Sequence, residues 1–101
     1  YAILKNEILV SALTIIQRTT NKKKSAQLRG MFTVQKELKK GYGSLLIDKV
    51  SFKLKKENMS LIWCNSRINV IDFYKKNKFK EIGKKFSINL LGDHKKLIRK
   101  L

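Results

Sequence analysis

Apolar and polar positions change period several times along this chain. YAIL (1–4) is a short apolar run that reads as a strand, and KNE reads as the tight turn after it. ILVSALTIIQ (8–17) is dense in β-branched residues and predicts a second strand. TTNKKKS (19–25) is polar throughout and predicts a hairpin loop. AQLRGMFTV (26–34) predicts a third strand, in which Gly30 signals a bulge or a close backbone approach. After residue 41 the period becomes helical. Leu46, Val50 and Leu54 recur every four residues and Leu45 widens the stripe, which predicts a helix of about three to four turns. SLIWCN (60–65) predicts a buried parallel strand and NVIDFYKKN (69–77) a second helix. KEIGKKFSINL (80–90) and HKKLIRKL (94–101) predict a terminal strand pair. The order β-β-β-α-β-α-β-β predicts an α/β fold with helices packed on a mixed sheet. No proline, repeat or Gly/Ser linker marks a boundary, so residues 1–101 are expected to form a single domain.

Composition narrows the function classes. At 43% hydrophobic residues, 101 residues can hold one core. No apolar run approaches the ~20 residues that span a bilayer, so no membrane is expected. No charged-apolar-small leader is read, and an opening on Tyr1 rather than Met suggests a fragment or a short form. The single cysteine, Cys64, excludes an internal disulfide and a cysteine-rich zinc site, and no metal is expected. One thiol and one histidine fit a reducing cytoplasm. Twenty-four Lys+Arg against seven Asp+Glu give +17, a field that attracts anions. The excess is mostly lysine along the whole chain, with only Arg18, Arg29, Arg67 and Arg99 as arginines. A lysine-rich solvated surface is the expectation. A nucleic-acid groove would call for clustered arginines and interleaved aromatics.

One stretch carries candidate chemistry. In ELKKGYGSLLIDKV (37–50) two lysines precede Gly-Tyr-Gly-Ser at the start of the predicted helix. A helix N-terminus exposes unpaired N–H groups and the positive end of its dipole. Glycines let such groups converge on one anion. The same glycines also suit a plain strand-to-helix turn. The stretch matches neither G-x-G-x-x-G nor a Walker A motif.

Three segments together resemble one family. QLRGMFTVQKELKKGYGSLLIDKV, LIWCNSRINVIDFYKKNKF and LLGDHKKLIRKL are similar, in order and spacing, to the GNAT superfamily of acetyl-CoA-dependent N-acetyltransferases. The turn resembles Arg/Gln-x-x-Gly-x-Gly/Ala, the next strand-helix unit carries Asn-(x)3-Phe-Tyr, and the hairpin has a Gly-x-His corner. The resemblance covers residues 1–101 and implies acetyl-CoA as acyl donor, with direct transfer to an amine in a ternary complex.

It implies roles as well. Backbone N–H groups of Lys39, Lys40, Gly41, Tyr42, Gly43 and Ser44 would hold the CoA pyrophosphate. Met31, Phe32 and Thr33 would form a splayed strand that pairs with pantetheine. A strand N–H there would also polarise the thioester carbonyl. Tyr74 would protonate the departing thiolate, and Asn69 would touch the pantetheine arm or cap the helix. His94 is the candidate general base, with Glu37, Asp72 or a water chain as alternatives. Phe73 and Phe79 are expected in the core, and Cys64 as an inert buried thiol.

Two positions depart from the family pattern. Leu38 stands where Arg or Gln opens the turn motif. Lys78 stands where a glycine normally follows the helix, and Asn77 is expected to absorb that strain. GNAT domains begin with a strand and two helices before the point where this chain starts. An apolar sheet face is therefore expected to be exposed, which a homodimer would cover. The alternatives are a degenerate GNAT-like module that binds CoA without turnover and a basic nucleic-acid-binding domain.

Overall fold

The computed structural model describes residues 1–5, 8–20, 23–33, 40–88 and 91–101. Strands β1 (Ala2–Lys5), β2 (Ile8–Thr20), β3 (Lys23–Thr33), β4 (Leu61–Arg67), β5 (Lys80–Ile88) and β6 (Gly92–Lys100) form one sheet in the order β1-β2-β3-β4-β6-β5. Helix α1 (Tyr42–Lys56) joins β3 to β4, and a 3-10 turn (Ile68–Val70) with α2 (Ile71–Lys76) joins β4 to β5. β3 and β4 are parallel, and all other neighbours are antiparallel. Both helices cross the sheet in the same direction, and right-handed connections put both on one face. The predicted element order and mixed α/β architecture are therefore present.

The first hairpin differs from expectation. TTNKKKS is largely ladder, because Thr19 pairs with Lys24 and Thr20 with Lys23. Threonines favour a pleated surface, and a polar pair tolerates water on both faces. The connecting residues 21–22 lie outside the described residues, as do residues 6–7 of the first expected turn. Gly30 does mark a bulge. Thr14 pairs with Gly30 and Ile15 with Leu28, which leaves Arg29 without an opposite residue. Nothing approaches Gly30 closely.

The core lies between the helices and one sheet face. On α1 the buried stripe is Gly43, Leu46, Ile47, Val50, Ser51 and Leu54. Leu45, expected on that stripe, is 45% exposed, and Ile47 takes its place. At about 100° per residue, position 47 lies on the same side as 46, 50 and 54, whereas 45 turns away. β4 is parallel to β3 as predicted, but it is buried on alternate residues only. Ile62, Cys64 and Ser66 face the helices.

Both helices end in the same way. The Met59 N–H donates to Leu54 O and the Asn58 N–H to Lys55 O; the Phe79 N–H donates to Tyr74 O and the Lys78 N–H to Lys75 O. These are Schellman pairs, with Asn58 (φ 65°) and Lys78 (φ 70°) in the left-handed region. Lys78 itself therefore bears the strain that was expected to pass to Asn77, which has φ −96°. The Asn77 side chain instead donates to Phe73 O at 2.8 Å. Arg99 ties this corner to the sheet by donating to Asn77 O at 3.2 Å and to Asp48 at 3.1 Å.

Candidate functional site

The site starts from a failure of pairing. β3 meets β4 only at Ser25↔Leu61, Ala26↔Ile62 and Gln27↔Trp63. β3 then continues along β2 to Thr33, and β4 continues along β6 to Arg67. Between them the sheet splays open. One edge of β3 and one of β4 carry backbone groups with no partner strand across the gap.

A cleft of about 840 Å³ opens at this gap. Met31, Phe32 and Thr33 line it from β3, Gly41, Tyr42, Gly43 and Ser44 from the start of α1, and Val70, Phe73, Tyr74 and Lys76 from the second crossover. The cleft thus gathers eight of the sequence candidates. Ser11 steadies the β3 wall by donating from its hydroxyl to Phe32 O at 3.0 Å, and its Oγ also lies 3.0 Å from Thr33 Oγ1.

The two glycines have separate structural causes. Gly41 is the N-cap of α1 at φ 81°, ψ 7°, a conformation that L side chains resist. Gly43 is buried, and a Cβ there would meet Met31 Cε at 2.8 Å and Phe73 Cζ at 3.1 Å. Its missing side chain therefore lets α1 close onto the cleft wall. The helix makes its first bond from the Leu45 N–H to Gly41 O at 2.9 Å. The N–H groups of Tyr42, Gly43 and Ser44 precede that bond. No side chain caps them, and the first turn holds no acidic residue. Three oriented donors at the positive end of a 15-residue helix, with Lys76 on the same cleft, suit an anion.

Tyr74 is held in place by the helix stop. Its ring packs edge-on against Phe73 at 5.4 Å and against Phe79 at 5.3 Å. Phe79 is the residue that the left-handed Lys78 turns back over the helix end. Burial, with a smaller contribution from nearby Cys64, pushes the Tyr74 hydroxyl up to about 12. The Cys64 thiol is pushed up to about 12 by burial alone. At neutral pH both hold their protons.

Other candidates lie elsewhere. His94 is buried on β6, paired with Arg67 and Phe86, and its Nδ1 is 3.0 Å from Gly92 O. It does not line the cleft. Asn69 is exposed in the 3-10 turn, outside the cleft lining, and the N-cap of α2 is Val70 with no side-chain cap. Asp72 is exposed. Glu37, Leu38 and Lys39 lie outside the described residues. Phe79 is core, as expected, whereas Phe73 packs against the core and also walls the cleft. Val70 and Lys76 were not singled out from the sequence. Their spacing of three on either side of Phe73 was the available signal, because it puts all three on one side of the crossover.

No family model matches the chain. It is 37% identical over 68 residues to an uncharacterised N-acetyltransferase, YitI, of Bacillus subtilis (strain 168), a match that covers 67% of this chain and 46% of that relative. The chain thus spans about half the length of the curated relative it matches. Its fold is similar to that in the NatC complex bound to Gag peptide and CoA, with TM-score 0.86 at 16% identity over 96% of this chain and 64% of that one. An aminoglycoside 6'-N-acetyltransferase complexed with coenzyme A gives 0.83 at 13% identity, over 98% and 70%. Arabidopsis thaliana Naa50 with a CoA-containing bisubstrate analogue gives 0.80 at 22% identity, over 95% and 68%.

Proposed function

Because this chain is related to the GNAT N-acetyltransferases in sequence and in fold, we propose that it binds acetyl-CoA in the splayed cleft and transfers the acetyl group to an amine by direct attack in a ternary complex. The observation that carries the reading is the coincidence, on one cleft, of an uncapped helix N-terminus, an unpaired strand edge and a buried tyrosine. When bound, acetyl-CoA supplies an activated acyl group, and the chain's own residues do the rest. The N–H groups of Tyr42, Gly43 and Ser44, with Lys40 beside them, bind the pyrophosphate. The unpaired edge of β3 at residues 31–33 bonds the pantetheine amides as an added strand. One N–H of that edge holds the thioester oxygen, where negative charge grows.

Tyr74 donates its proton towards the sulfur as the thioester breaks. At about 12, the phenol is a weaker acid than a thiol of ordinary pKa near ~8.5. Full transfer to a free thiolate would run uphill, so the donation accompanies bond breaking, and the proton of the attacking nitrogen restores the phenol. Among the described residues lining the cleft there is no carboxylate and no imidazole. In this reading the acceptor ammonium loses its first proton to a water chain.

A second reading, favoured by the lack of a base among the described residues that line the cleft, is a module that binds CoA without turnover. Acetyl transfer to a panel of amines by the wild type and by Tyr74→Phe separates the two. Turnover that drops roughly 10²-fold in the variant, with unchanged CoA affinity, supports the enzyme. CoA binding without turnover in either protein supports the module.

A further inference from the structure

Helix α1 is apolar on two opposite sides. Its core stripe is Gly43, Leu46, Ile47, Val50, Ser51 and Leu54. At about 100° per residue, Leu45 and Phe52 point almost directly away from the centre of that stripe. Leu45 is 45% exposed and Phe52 is 64% exposed. A single exposed apolar residue is ordinary, but two at i and i+7 on the outermost line of one helix form a ridge. They stand about 10 Å apart along the axis. Lysines border this ridge. Lys49 and Lys56 share its side of the helix, and Lys56 Nζ lies 4.4 Å from the Phe52 ring centroid, over one face of a ring that is otherwise open. Lys53 lies further round, its Nζ 4.9 Å from the centroid of the exposed Tyr1 ring, and Lys55 flanks the other side. All four lysines are exposed. The carboxylates of this helix and its C-cap are engaged: Asp48 accepts from Arg99 at 3.1 Å and Glu57 from Gln17 at 2.9 Å.

Shape and charge select the partner. The ridge is convex and one helix wide, so it suits a soft surface that it can enter. Every cation on α1 is a lysine, whose long stem keeps the ammonium in water while apolar neighbours go under. Protein interfaces favour arginine and are depleted of lysine. A second copy would set the same lysines against one another, and like charges face to face oppose association. Among the described residues no helix is long and apolar enough to cross a membrane, so contact is interfacial, with the helix axis in the membrane plane.

We propose that α1 docks this outer ridge on an anionic lipid bilayer. Leu45 and Phe52 enter the acyl boundary, and Lys49, Lys53, Lys55 and Lys56 meet the lipid phosphates. Docking of this kind is independent of acetyl transfer and can be read without CoA. The test is sedimentation of the whole chain with vesicles of phosphatidylcholine alone and of an equal mixture with phosphatidylglycerol. Binding is expected to the mixed vesicles only. The double variant Leu45→Gln with Phe52→Gln keeps the net charge and uses a good helix former at exposed positions. It should bind the mixed vesicles at least about tenfold more weakly. A second measurement locates the contact. In Phe52→Trp a blue-shifted fluorescence should appear that lipids brominated on their acyl chains quench. Native Trp63, on the opposite sheet face from α1, should stay unquenched. Absence of vesicle binding overturns the inference. So does equal binding by the double variant, which is the generic attraction of a +17 chain to anions. Quenching of Trp63 with none in Phe52→Trp places another face on the lipid and overturns it. A dimer in solution that the double variant dissolves makes a second copy the occupant, and overturns it too.

Discussion

At the residue scale, Gly41 and Gly43 show how one motif serves two needs. Gly41 sits at φ 81° with open space around its Cα, so Gly41→Ala should cost about 1 kcal/mol of stability by backbone strain alone. Gly43→Ala pushes on Met31 Cε, the far end of a flexible side chain, and on the stiffer Phe73 ring. Its cost in melting temperature should be similar, but its effect on ligand binding larger, because both displaced groups wall the cleft. Comparing CoA affinity in the two variants checks this; an equal loss would mean that the crowding at Gly43 is unrelated to the cleft. Lys78 offers the converse case. With φ at 70°, Lys78→Gly should gain about 1 kcal/mol in chemical denaturation. Because Phe79 and Tyr74 are packed across that turn, the Tyr74 ring should stay where it is.

At the element scale, the splay between β3 and β4 is the feature on which binding depends. Amides at residues 31–33 that point into the gap should exchange quickly with solvent and gain protection when CoA is added, while the β2–β3 ladder at residues 25–28 stays slow in both states. No change at residues 31–33 would show that no strand-like ligand enters the gap. Much of this element plan was legible beforehand. The switch from β-branched runs to a four-residue period placed α1, and the glycine turn located its start. The splay was legible only through the resemblance, because failure of pairing leaves no periodic mark. The hairpin was misjudged because lysines and threonines read as loop when hydropathy alone is weighed, although a two-sided polar ladder accepts them. His94 illustrates another limit. Its place near a turn glycine was visible, but its burial on β6, outside the cleft lining, is a tertiary fact.

At the scale of the whole molecule, charge and burial set the pH response. The Tyr74 phenol and the Cys64 thiol are each raised to about 12 in the folded chain, from ordinary values of 10.0 and 9.0. Both groups bind protons more tightly when folded, so their contribution is complete below pH 9 and is lost as pH climbs towards 12. Over that window the loss should be on the order of 2–4 kcal/mol for each group. The paired measurement is therefore wild type against Cys64→Ala and Tyr74→Phe. The variants should lose less stability between pH 9 and pH 11 than wild type does; parallel curves would contradict the burial argument.

The measurement that bears most directly on acetyl-CoA binding in the splayed cleft is an amide NMR titration of the chain with acetyl-CoA, and with ATP as a control for generic attraction to a +17 protein. The account predicts shifts concentrated at residues 31–33, 40–44 and 73–76. Those at 31–33 should respond to acetyl-CoA and stay still with ATP, which has no pantetheine arm. Shifts spread over the surface lysines, or the same pattern with both ligands, would contradict it.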